Sequence, residues 1–179
     1  MFNRRTVPSA VFFAVLFTTF VYGQRAELMN TRFVSPDGGF KIELPSEASH
    51  GVLPVGNLSN EAGSYTWKIP EGKITISFVE GIHGFNDGFE VVNDFGDSVT
   101  ASLVKTEGKV MERTEFSFDG HPGLELRIKR NSGSSINRFI LVGDRLYILT
   151  ANFTRDDNDF RFLQILDTFQ TMDHSSLIA

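Results

Sequence analysis

Between Arg138 and Phe153 the chain reads RFILVGDRLYILTANF, two apolar runs joined by the pair Gly143-Asp144. A two-residue loop that begins with glycine suits a tight type II′ hairpin, whose twist matches that of the strands it joins. With Gly143-Asp144 as the loop, Leu141 faces Leu146, Ile140 faces Tyr147 and Phe139 faces Ile148. One face then carries Phe139, Leu141, Leu146 and Ile148, and the other Ile140, Val142, Tyr147, Leu149 and Ala151. A strand pair that is apolar on both faces must be covered on both, so it belongs at the centre of a sheet with a layer on either side. Tyr147 reads as a core aromatic whose hydroxyl finds a partner at the rim. Arg145, beside the turn, reads as solvated. The stretch is scaffold rather than chemistry.

The remaining periodicities fit around this hairpin. Arg32–Ser35 and Phe40–Leu44 form short extended runs about Pro36-Asp37-Gly38-Gly39, and Phe40, Ile42 and Leu44 alternate with charged neighbours. Ser64–Ile69 and Lys73–Glu80 make a hairpin turning at Pro70-Glu71-Gly72, with Ile74, Ile76 and Phe78 on one face and Thr75 and Ser77 on the other. From Phe89 the spacing changes to threes and fours through Val92, Phe95, Val99 and Leu103, the mark of a helix with one buried stripe. Asp87 is a natural N-cap with Glu90 three residues on, and Gly108 a natural stop. Gly96 within that helix costs about 1 kcal/mol relative to alanine. KVMERTEFSF and GLELRIKR then alternate about Asp119-Gly120. After the opening hairpin, a second helix is expected over Asp157–Phe169, its acidic start (Asp156, Asp157, Asp159) suiting the positive end of the helix dipole. Antiparallel hairpins with helices laid on the sheet make the class α+β: an antiparallel β-sheet sandwiched by helices.

The chain begins MFNRRTVPSAVFFAVLFTTFVYGQ. Arg4 and Arg5, an uncharged run over Ala10–Val21 and small or tolerated residues before Gln24 form the three-part pattern of a cleavable signal peptide, residues 1–23. The run is shorter than the ~20 residues a membrane span needs. Export to a periplasm or extracellular space is expected, with the product soluble and no membrane span. Of 179 residues, 156 remain, enough for one domain over 24–172 and a frayed tail, 173–179. The mature chain carries 15 basic and 22 acidic residues, net −7, which argues against nucleic acid and anionic membranes as partners. No cysteine is present, so thiol chemistry, Cys-based zinc sites and a lipid-bearing N-terminal cysteine are excluded, and the core must hold the domain without disulfides. Asn57 and Asn152 begin glycosylation sequons, which matter only in a eukaryotic secretory route.

In order, FVSPDGGFKIELP, FDGHPGLELRIKR, RFILVGDRLYILTANF and FLQILDTFQ resemble the PsbP-like family over most of Arg32–Gln170. The family includes the extrinsic PsbP subunit of photosystem II and many exported bacterial proteins. The resemblance implies an antiparallel sheet between helices. It also implies a mostly non-enzymatic role, docking on larger assemblies; the photosystem subunit helps retain calcium and chloride. It lies in the core strands, not in that subunit's docking segments, so no residue-level site carries over.

Constellations that could carry chemistry are few. Glu80–Gly88, EGIHGFNDG, places three glycines, His83, Asn86 and Asp87 before a helix N-terminus, where backbone N–H groups can meet an anion. The ordinary reading is a connection capped by Asp87. His50, His83, His121 and His174 are scattered without the spacing of a zinc site, and no G-x-S-x-G elbow anchors a catalytic triad. RDDNDF fails the EF-hand pattern, with Arg161 and Asp167 where glycine and glutamate belong. No cofactor and no metal are expected. Tyr65 and Trp67 alternate with Ser64, Thr66 and Lys68: exposed, they would offer an aromatic face to a partner, and buried, they would be core. The expectation is an exported, non-enzymatic protein that binds a partner or stabilises an envelope assembly, alternatively a small-ligand or ion carrier using the 80–88 loop.

Overall fold

The computed structural model describes residues 30–52, 62–83, 87–103, 108–155 and 158–172. The signal-peptide segment, Asn57, Asn86 and the C-terminal tail lie outside them. Among the described residues no helix is long and apolar enough to cross a membrane.

The elements run β1 (Asn30–Ser35), β2 (Phe40–Pro45), β3 (Ser49–Val52), β4 (Ala62–Ile69), β5 (Gly72–Val79), α1 (Gly88–Leu103), β6 (Lys109–Phe118), β7 (His121–Arg130), β8 (Gly133–Val142), β9 (Arg145–Phe153), α2 (Asp159–Leu166) and β10 (Gln170–Thr171). Seven strands form one antiparallel sheet in the order β3-β4-β5-β9-β8-β7-β6, and β1-β2-β10 form a second. The β8–β9 hairpin occupies the centre of the large sheet with the register read from the sequence: Leu141 opposite Leu146, Ile140 opposite Tyr147 and Phe139 opposite Ile148. Gly143 has φ 62° while Asp144 keeps a negative φ, which is the type II′ pattern. At the β6–β7 turn Asp119 (φ 49°) and Gly120 (φ 83°) are both left-handed, as type I′ requires.

The two faces of the hairpin go to different layers. Phe139, Leu141 and Leu146 pack with Leu124, Leu126 and Ile128 of β7 under α1. Ile140, Tyr147, Leu149 and Ala151 pack with β4, β5, β2 and α2. The expected sandwich of helices is therefore corrected on one side: among the described residues α1 alone covers its face, whereas α2 shares the other with the second sheet. Gly96 explains its own cost. A Cβ there would lie 2.4 Å from Leu124 Cδ2, so the missing methyl lets α1 sit close on β7. The Asp87 cap is as read, with the Phe89 N–H donating to Asp87 Oδ1 at 2.9 Å.

Helix α2 ends earlier than expected, and Asp156 and Asp157 of its expected acidic start lie outside the described residues. It starts at Asp159 after Asn158, whose side chain makes no capping bond. It stops at Leu166 because Thr168 turns the chain: its hydroxyl donates to the Ile165 carbonyl (2.7 Å) and accepts from the Glu43 N–H of β2 (2.9 Å). Phe169 then enters the core, and β10 pairs with Lys41 and Phe40. Arg161 pairs with Glu47 and Glu71, fastening α2 to the turns after β2 and β4.

Candidate functional site

The two covering layers are offset. Helix α1 lies on β6, β7 and β8, while α2 lies on β2, β8 and β9. On the α2 side, β7 turns polar side chains outward, because Leu124, Leu126 and Ile128 are spent on the α1 side and strict alternation puts Glu125 and Arg127 opposite them. Between α2 and the β6–β7 end of the sheet lies a trough of about 420 Å³. Phe116, Phe118, Ile140 and Leu166 supply its apolar walls, and Glu125 and Arg138 lie at its floor.

The floor is an ion-pair network. Arg138 donates from Nε to Glu125 Oε2 (2.7 Å) and from Nη1 to Asp167 Oδ1 (2.7 Å). Arg127 Nε lies 3.1 Å from Glu125 Oε1 and 3.3 Å from Glu112 Oε2, and its Nη1 lies 3.5 Å from Asp159 Oδ2. Glu125 and Arg138 are nearly enclosed, at 14% and 15% side-chain exposure, whereas Glu112 (58%) and Asp167 (62%) stand at the rim. The Arg138 guanidinium also lies 5.8 Å from the centre of the Phe116 ring. Phe116 in turn sits across the ladder from Gly123, filling the space a side chain would take. This network escapes the sequence reading, which saw in GLELRIKR only the alternation of a strand. The available signal is Arg138 itself, a charge inside an apolar central strand, which must find a partner.

The sequence candidates fall elsewhere. His83 Nε2 is 3.9 Å from Asp144 Oδ2 with both side chains mostly in solvent, a weak contact at best. Asp87 caps α1, and Asn86 lies outside the described residues. Nearby, Ile82, Asp87, Phe89, His121 and Leu141 border a second cleft of about 430 Å³. Trp67 is 2% exposed, stacked on Tyr65 at 6.1 Å and edge-on to Phe33 at 4.9 Å. The half-buried Tyr65 accepts a hydrogen bond from Ser35 Oγ at 2.9 Å. The exposed aromatic partner face is thereby corrected: Tyr65 and Trp67 are scaffold.

Arg145 is also corrected. It is not solvated but 12% exposed, paired with Glu80, donating to the Gly38 carbonyl at 2.8 Å and lying 5.3 Å from the Phe78 ring centre. The Tyr147 hydroxyl donates to the same carbonyl at 2.9 Å. The two side chains latch the β1–β2 turn onto β9. Burial raises the Tyr147 hydroxyl above its ordinary value of 10.0, with the Arg145 charge acting in the opposite direction. The folded state thus holds that proton more tightly than the unfolded chain does. Its contribution to stability is complete below about pH 10 and is lost as pH rises through the folded value. Urea unfolding at pH 9 and at pH 11 should show a larger loss for the native protein than for Tyr147→Phe, and equal losses would contradict this.

With the geometry in place, comparison with known structures settles the architecture. The solution structure of cyanobacterial PsbP (CyanoP) from Synechocystis sp. PCC 6803 superposes with a TM-score of 0.62 over 83% of this chain and 96% of that one, at 10% identity. The fold is PsbP-like. Looser matches are a Bacteroides thetaiotaomicron protein (TM-score 0.48, 13% identity, 80% of this chain and 49% of that one) and a Pseudomonas aeruginosa protein of unknown function (0.38, 16%, 78% and 94%). No family model and no curated protein matches the sequence. At such identities the PsbP-like likeness is one of fold, and it assigns no residue of the trough.

Proposed function

We propose that this is an exported, non-catalytic PsbP-like module that holds a protein partner in the trough between β6 and α2. The observation that carries the reading is the enclosed Glu125–Arg138 pair beneath the Phe116 and Phe118 walls. An ion pair removed from water at best breaks even against apolar packing of the same volume, so it is a poor choice if stability is all the site provides. Aromatic walls around desolvated charges are, in contrast, the composition of protein-recognition surfaces. Export rests on the N-terminal sequence, and the non-catalytic role on the PsbP-like fold. A photo-crosslinker placed at Phe118, on the trough, and at Lys68, far from it, tests the reading in the native host. One discrete adduct from position 118, absent from position 68 and lost with Phe116→Asp, is expected. Adducts of equal yield from both positions would overturn it.

A second reading is favoured by one observation, the cleft bounded by Ile82, Asp87, Phe89 and His121 beside the 80–88 loop. There the protein would carry a small ligand or ion. A ligand at a hundredfold excess over Kd stabilises the folded state by about 2.7 kcal/mol. A saturable rise in Tm that His121→Ala removes and Phe116→Asp leaves intact would favour this carrier role.

A further inference from the structure

Resting on the trough reading, we propose that the bound segment is an extended, basic strand added to the free edge of β6, carrying two Lys or Arg side chains four residues apart. Among the described residues strand β6 ends the sheet and offers ten residues of edge. Its only irregularity is a bulge between Val110 and Glu112, which leaves Glu112–Phe118 in regular register for a new neighbour. On the α1 side, the charges of β6 are already engaged: Arg113 with Asp97 and Glu115 with Asn93. In the trough lining, three carboxylates (Glu112, Glu125, Asp167) face two guanidiniums (Arg127, Arg138), and Asp159 adds a carboxylate beyond Arg127, at the end where Lys109 and Lys129 emerge on the same face; Glu112, Asp159 and Asp167 stand at the rim. The surplus is negative, so a cationic segment complements it. A second copy of this acidic chain would bring the same surplus and be repelled.

The spacing follows from the helix. Asp159 opens α2 and Asp167 caps it, eight residues on, which is about 12 Å of helix at 1.5 Å per residue. Two strand residues four apart share a face and are separated by about 13 Å. Basic side chains at those positions meet the Asp159 and Asp167 ends together, with an apolar residue midway over Phe116. The reach is short: the single guanidinium of Arg138 spans from the Phe116 ring to Asp167, at 5.8 Å and 2.7 Å.

The probe is the capped peptide Thr-Arg-Thr-Val-Thr-Arg-Thr, titrated into the isotope-labelled protein. Expected are saturable shifts of the backbone amides of Thr114–Phe118 and a Kd below about 1 mM. Affinity should fall at least tenfold when both arginines of the peptide become glutamate, when they are moved to three residues apart, or in the Asp159→Asn, Asp167→Asn protein. Because that variant can lose stability, the altered peptides on the unaltered protein decide alone. Equal binding of the glutamate peptide, shifts centred away from β6, or no saturable binding at 1 mM would overturn the proposal. A partner crosslinked at position 118 despite a silent basic peptide would remove this inference and leave the trough reading standing. Silence in both would remove both.

Discussion

Trp67→Ala should lower stability by about 3–5 kcal/mol, the usual loss when a large buried aromatic is truncated. Trp67 lies on β4, with Ile74 of β5 as its cross-strand partner and Phe33 and Tyr65 against its ring. Truncation opens a cavity between the two sheets that these rigid neighbours cannot close. For a domain whose total stability is of order 5–15 kcal/mol, the variant should unfold at much lower urea, read by the midpoint at unchanged slope. Trp67→Phe, which keeps most of the volume, should recover more than half of the loss. A Trp67→Ala protein that kept its midpoint but lost its partner would return this residue to the role of a docking face.

Arg145→Ala should cost about 2 kcal/mol, below the scale of breaking a fully buried ion pair because Glu80 is partly exposed. The change strips Glu80 of its partner, takes one donor from the Gly38 carbonyl and uncovers the Phe78 ring. Arg145→Lys should recover little, because one ammonium cannot reach Glu80 and the Gly38 carbonyl together as the planar fork does. A double-mutant cycle with Glu80→Gln isolates the pair, with a coupling of about 1–3 kcal/mol expected. A coupling near zero would mean that Arg145 acts through its packing alone.

These two residues show what could be read in advance. Alternation on β4 leaves the burial of Trp67 open, whereas the register of the central hairpin follows from alternation and one glycine, which are local signals. The role of Arg145 does not, because its acceptor, Gly38, lies 107 residues away and only the closing of the second sheet onto the first brings them together. Strands β3 and β10, of four and two residues, are too short to show a period. The C-terminal end of α2 is set by Thr168 bonding to β2, a tertiary contact that overrides helix propensity. The trough was half legible: Arg138 in an apolar run announces a buried partner, but Glu125 and Arg127 look like any solvent face until the offset of α1 and α2 is known. Conversely, the 80–88 loop drew notice for its glycines and histidine, and among the described residues His83 meets an exposed aspartate at 3.9 Å.

The most direct test of the trough as a recognition site is hydrogen exchange of the backbone amides with and without the partner crosslinked at position 118, purified and added free. Slowed exchange confined to Thr114–Phe118 of β6 and the facing side of α2 is the result expected. Slowing over α1 or the Ile82–His83 segment, with β6 unchanged, would contradict it.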